Sequence, residues 1–178
     1  MQMMRTPWIP TALMIALVGA GPVVAQGSER VASHTDWSVF VAQSPKECYI
    51  VSPPTTSTAR RDGKSVDVRR GDIRLFVAFR PGEGVSNEVS FTGGYPFDSG
   101  TPVKIEIGSK SFTMTPGSGD ASEWAWTDAT DDSSVVAAMR GGADAKITAV
   151  SSRGTTTIDS FSLMGFTAAV NDAEARCK

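Results

Sequence analysis

The segment between Gly71 and Phe97 narrows the possible folds more than any other part of the chain. In Asp72-Ile-Arg-Leu-Phe-Val-Ala-Phe-Arg80, residues Ile73, Leu75, Val77 and Phe79 fall on one side of an extended strand, with Asp72, Arg74 and Arg80 on the other. Pro81-Gly-Glu-Gly84 is a turn cluster. Asn87-Glu-Val-Ser-Phe-Thr92 then resumes the alternation, with Val89 and Phe91 inward, until Gly93-Gly94 breaks it. Two alternating strands around a Gly/Pro turn form a β-hairpin with one apolar face, and the rest of the chain must supply its cover.

Most of the remaining segments carry the same period. Trp37, Val39 and Val41 define a first strand, Glu47–Ser52 a second, and Val103, Ile105 and Ile107 another, with Phe112 and Met114 on its return. Pro53-Pro54 and the Thr/Ser run to Thr58 are expected to end the second strand, because proline cannot donate to a ladder. Asp62-Gly63 is a tight turn leading into a short strand, Ser65–Arg69, with Val66 and Val68 on one face. Glu123-Trp-Ala-Trp-Thr127 sets both tryptophans on one face, expected to be core in preference to the alternative, an aromatic platform with Tyr95 and Phe97 for a sugar or peptide. Asp144–Ser151 and Thr155–Leu163 are strands joined by a turn at Ser152-Arg-Gly154.

Two stretches depart from this period. Asp131-Asp132 can cap a short helix over Val135–Arg140 that Gly141-Gly142 ends. At the C-terminus, Phe166, Val170, Ala173 and Cys177 share one helical face. Many short strands with turn signals between them predict an all-β antiparallel sandwich or barrel, of which a two-sheet sandwich with a short inserted helix and a C-terminal helix is favoured.

The leader and the cysteines bear on compartment. One early cation at Arg5, an apolar run over Thr11–Ala20 and a small-residue exit at Val23-Val-Ala25 follow the order of a secretory signal peptide. The division expected is a signal peptide over residues 1–25, a flexible lead-in over 26–35 and the sandwich domain over 36–178. No stable membrane insertion is expected once the signal is removed, and the localisation expected is periplasmic or secreted. In an oxidising compartment the two cysteines, Cys48 and Cys177, read as one disulfide closing nearly the whole domain. Two free thiols, one of them catalytic, are the alternative, but the chain has a single histidine to serve as base. A formal net charge of −2 argues against nucleic acid as the partner.

Several segments together resemble the invasion-associated locus B family of exported bacterial proteins. They are Trp37-Ser-Val-Phe40, Lys46-Glu-Cys-Tyr49, Arg69-Arg-Gly-Asp-Ile73, Phe91-Thr-Gly-Gly-Tyr-Pro-Phe97, Glu123-Trp-Ala-Trp126 and Phe161-Ser-Leu-Met-Gly-Phe-Thr-Ala-Ala169 through Cys177. The resemblance implies an immunoglobulin-like β-sandwich, export to the periplasm or cell surface, and no established enzymatic activity. The family's name comes from a locus linked to host-cell entry.

Candidate chemistry is sparse. A hydrolytic triad needs a base beside its nucleophile, and His34 lies in the expected lead-in, with no G-x-S-x-G elbow in the chain. Asp128, Asp131 and Asp132 offer oxygens to a cation but lack the EF-hand spacing, so helix capping explains them better. No catalytic residue, cofactor or metal is therefore assigned. Arg60, Arg61, Lys64, Arg69, Arg70 and Arg74 form the one basic region, either a stripe for an anionic glycan or lipid headgroup, or edge charges that prevent aggregation. Within it, Arg70-Gly71-Asp72 is the tripeptide that integrins read in some adhesive proteins. Tyr95 and Phe97, in the Gly93–Phe97 loop, complete the candidate binding surface. The expected role is surface contact with an envelope or host-surface protein or an anionic glycan. The alternatives are a small-ligand carrier or enzyme with an inter-sheet pocket, in which Arg74 or Arg80 faces an acid, and a structural envelope component.

Overall fold

The computed structural model describes residues 27–178; the signal peptide expected over residues 1–25 lies outside them. In chain order the strands are β1 (Glu29–His34), β2 (Trp37–Gln43), β3 (Lys46–Ser52), β4 (Thr56–Arg61), β5 (Lys64–Ser65), β6 (Arg74–Arg80), β7 (Val85–Thr92), β8 (Val103–Ile107), β9 (Lys110–Pro116) and β10 (Trp124–Thr127). Helix α1 (Asp132–Gly141), β11 (Asp144–Val150), β12 (Thr156–Ser162) and helix α2 (Phe166–Arg176) complete the chain.

Every strand pairs antiparallel with its neighbours in the order β1-β2-β3-β6-β7-β10-β9-β8-β11-β12-β4-β5. The ladder is unbroken, yet strands far apart in that order touch. Phe91 on β7 meets Phe161 on β12 edge to face, with centroids 6.1 Å apart. The Trp37 indole on β2 donates to the Ser162 carbonyl on β12 at 3.0 Å. One sheet is thus folded over on itself, and its two halves make the layers of the all-β sandwich that the alternation predicts.

The period-2 pattern selects the core. Trp37, Val39, Ile50, Leu75, Val77, Val89 and Phe91 from one layer meet Val103, Ile105, Ile147 and Phe161 from the other, all fully buried. Each such side chain contributes about 1.5–3 kcal/mol on removal from water. Helix α1 turns Val135, Val136 and Met139 inward beside β7, and α2 lays Phe166, Ala169, Val170 and Ala173 over β2 and β3. Cys177, the residue that caps the end of α2, is bonded to Cys48 of β3 with Cα atoms 5.7 Å apart, as the pairing expected from the sequence requires. The space between the layers, where an inter-sheet pocket was one alternative, holds these side chains.

Several expectations are corrected. Residues 29–34 of the expected flexible lead-in form strand β1, paired with β2 from Glu29↔Val41 to His34↔Trp37. His34, placed in that lead-in by the sequence, is instead the last residue of β1, and its Nε2 lies 3.0 Å from Asp172 of α2, tying that edge strand to the helix. The Thr/Ser run does not merely end β3: Thr56–Arg61 is strand β4, paired with β12, whereas of the expected short strand Ser65–Arg69 only Ser65 is regular, in β5, and Val68 is 40% exposed. On β10 the buried side chains are Ala125 and Thr127, so Trp124 and Trp126 face away from the core. Ala125 sits opposite Phe91 and Pro116, and Phe91 already fills the interior at that level, leaving room for a methyl group but not an indole.

Candidate functional site

The basic region is shaped by two loops pressed together. After β5 the chain leaves the sheet and returns at β6, and Gly71 N–H donates to the Gly94 carbonyl at 2.9 Å. Gly94 has φ +68°, and a Cβ there would lie 2.6 Å from the backbone of Gly71. Only glycine permits both the left-handed conformation and the approach.

Arg70 enters the molecule beside this junction. Its two terminal nitrogens donate to the two oxygens of Asp159 at 2.7 Å each, and its Nε donates to the Gly93 carbonyl at 2.9 Å. The Ser57 hydroxyl also donates to Asp159, at 2.7 Å. The Arg70 side chain is 8% exposed and that of Asp159 0%. The guanidinium lies 4.9 Å from the centroid of Tyr95, whose hydroxyl shares a 2.5 Å hydrogen bond with Thr157. Burial pushes the Tyr95 hydroxyl above its ordinary pKa. This bidentate, nearly dry pair joins the loop before β6 to the middle of β12, so Arg70 is a structural member and not an available ligand-binding cation. The same geometry removes Arg70-Gly71-Asp72 as an adhesive tip, since its arginine points inward.

Above the pair lies a cleft of about 460 Å³, lined by Arg61, Arg69, Arg153, Tyr95, Ser151 and Ser152 among others. Arg61 reaches Thr155 Oγ1 from Nε at 3.0 Å and from a terminal nitrogen at 2.6 Å, which fixes its direction. Arg69 and Arg153 are exposed and have no hydrogen bond or ion pair among the described residues. Planar forks beside hydroxyl groups suit carboxylate, sulfate or phosphate oxygens.

Of the residues picked out in the sequence, Arg61, Arg69, Arg70 and Tyr95 come together here. Arg60 does not, because neighbours in a strand point to opposite faces and Arg61 takes the cleft side. Arg74 projects from β6, where it donates to its neighbour's carbonyl, Ile73 O, at 2.8 Å and lies 3.6 Å from Asp72. Phe97 is 4% exposed and stacks on Phe91 at 5.8 Å, so it is core and not binding surface. Arg153 was missed: the turn Ser152-Arg-Gly154 gave only a hairpin signal, and the β12–β4 pairing that carries it next to Arg61 joins segments too far apart in the chain to be read from spacing.

The remaining candidates resolve locally. Arg80 faces acids, as one alternative required, but on the outer face of the sheet, beside Glu47, Glu83 and Glu88. The three aspartates near α1 take separate partners. Asp128 accepts from Thr130 N–H and hydroxyl, whereas Asp132 is buried and accepts from Val89 N–H at 3.1 Å and from the Thr127 hydroxyl. Hydrogen bonds from Thr130 hold Asp128 below its ordinary pKa, and burial pushes Asp132 above its own. Asp131 occupies the N-cap position of α1 without a side-chain capping bond. Among the described residues no group of three or more His, Cys, Asp or Glu is placed to hold a metal ion, and no helix is long and apolar enough to cross a membrane.

Comparisons with curated proteins and with solved structures return no match. The family model described as Invasion associated locus B (IalB) protein matches residues 37–174. That span runs from β2 into α2 and includes the loops, the buried pair and the cleft, and the chain is a member of this family.

Proposed function

We propose that this chain is an exported, non-catalytic binding protein whose cleft takes an acidic glycan of the cell envelope or of a host surface. The signal-peptide pattern of residues 1–25 and the disulfide both support export. The observation that carries the binding assignment is the contrast among the arginines. Arg70 is spent on Asp159 and Arg61 is steered by Thr155, while Arg69 and Arg153 stand at the cleft with no hydrogen-bond partner among the described residues. Ser151, Ser152 and Tyr95 line the same cleft, and this polar lining suits the mixed anionic and hydroxylated character of such a polymer. The interior between the layers is occupied mainly by apolar side chains, which favours a surface site over a carrier or enzyme pocket.

The test is retention on an immobilised sulfated or uronic-acid polysaccharide. Charge-assisted contacts of about 1.5–3 kcal/mol each imply that Arg69→Ala with Arg153→Ala weakens retention at least about tenfold. A Lys110→Ala control, at the start of β9, retains the parent's elution. Equal elution of the double variant and the parent would refute the assignment.

A further inference from the structure

A second surface lies across the sheet from the core and makes no use of the arginine cleft. Strands β2, β3, β6, β7 and β10 run side by side there. The alternation that buries Ile50, Leu75 and Ala125 turns Tyr49, Phe76, Trp124 and Trp126 outward, with Phe40 beside them. These rings form one continuous row: the centroid separations are 5.1 Å for Phe40–Tyr49, 6.0 Å for Tyr49–Phe76, 5.3 Å for Phe76–Trp124 and 6.1 Å for Trp124–Trp126. Each ring is half-buried, and Ala78 and Ser90 are the small residues among them. The last four rings of the row and these two small residues line a groove of about 570 Å³. A contiguous apolar patch of this kind on a solvent face marks an interaction site more often than it marks nothing.

The charge around the groove is one-sided. Arg80 is held by Glu88 at 2.7 Å, Glu83 at 2.9 Å and Glu47 at 3.4 Å. Those hydrogen bonds, that of Glu88 foremost, raise its pKa further above its already high ordinary value. Three carboxylates around one guanidinium leave an excess of negative charge, and Asp120 lines the groove as well. With its fork filled, Arg80 has little left to offer an anion, while the ring faces are themselves negative and attract cations. We propose that this groove binds an extended peptide segment bearing lysine or arginine. The aliphatic stem lies against Tyr49, Phe76 and Trp124, and the cationic head meets Glu47 and Glu88. The same carboxylates repel the acidic polymer proposed for the arginine cleft, so the two faces sort ligands by sign.

Trp124 and Trp126 line the groove, so tryptophan fluorescence of the full chain reads it directly. The probe is a short blocked peptide alternating lysine and alanine, run beside its glutamate counterpart and beside cellohexaose. The expected result is a saturable change with the lysine peptide alone, weakened by added salt. Glu88→Gln weakens it about tenfold, and Trp124→Ser abolishes it while Trp124→Phe retains it. Thermal melting checks the fold of each variant, with Glu47→Gln replacing Glu88→Gln if the latter melts early. Arg69→Ala with Arg153→Ala leaves the titration unchanged, which separates this site from the cleft. No saturable change with the lysine peptide, an equal response to the glutamate peptide, or a response to cellohexaose alone would overturn the proposal.

Discussion

Arg69 and Arg70 are adjacent, identical in type and opposite in setting. Arg70 is matched to Asp159 in a nearly solvent-free setting, where removing one partner strands the other charge. Breaking such a pair costs about 3–5 kcal/mol. Arg70→Ala and Asp159→Ala are therefore expected to lower the unfolding free energy read from urea curves by that amount, whereas Arg69→Ala shifts it by less than about 0.5 kcal/mol. Replacing both members of the pair by Met and Leu should recover much of the loss, since well-packed apolar side chains often match a buried pair. Nothing in the sequence separated the two arginines. Their difference depends on an acid 89 positions downstream, a distance that local spacing does not encode. By contrast Leu75, Val77 and Phe79 were legible one by one, because burial on a strand leaves a mark at every second residue.

At the level of elements, what was readable followed the strength of the period. The helical face of Phe166, Val170, Ala173 and Cys177 and the strands β2, β6, β8 and β11 each carry several apolar residues in step, and each forms. Strand β4 escaped notice because Ala59 is its only buried side chain; its place comes from backbone pairing with β12 and from Ser57 and Arg61 reaching back to that strand. On β10 the alternation was read correctly but its sense was not, since a period names two faces without saying which has room for an indole. The loops obey a different rule, that of backbone clearance. Gly94→Ala must abandon a left-handed φ and push Gly71 away, at an expected cost of about 2 kcal/mol or more. Gly82→Ala, with nothing within 4 Å of its new Cβ, is the near-neutral comparison. Melting temperatures of the two variants, with retention on the acidic polysaccharide, would show whether the Gly71–Gly94 junction holds the cleft in shape.

For the molecule as a whole, the disulfide sets the largest single constraint on the unfolded chain. A loop of 129 residues implies about 4–5 kcal/mol of stabilisation by chain entropy. Cys48→Ala with Cys177→Ala, or reduction at constant pH, is expected to lower the unfolding free energy by several kcal/mol, read from urea curves with and without reductant. The bond also fastens α2 to β3, so α2 and the His34–Asp172 link to β1 should lose hydrogen-exchange protection first in the reduced protein. The positions of the two sulfurs have a further consequence. A chain that emerges N-terminus first exposes Cys48 early, and its true mate arrives only after nearly every strand has passed. Until that moment the lone thiol is open to capture by any oxidant or neighbouring sulfhydryl, so its sealing timestamps full emergence and a stalled chain is marked by one reactive sulfur.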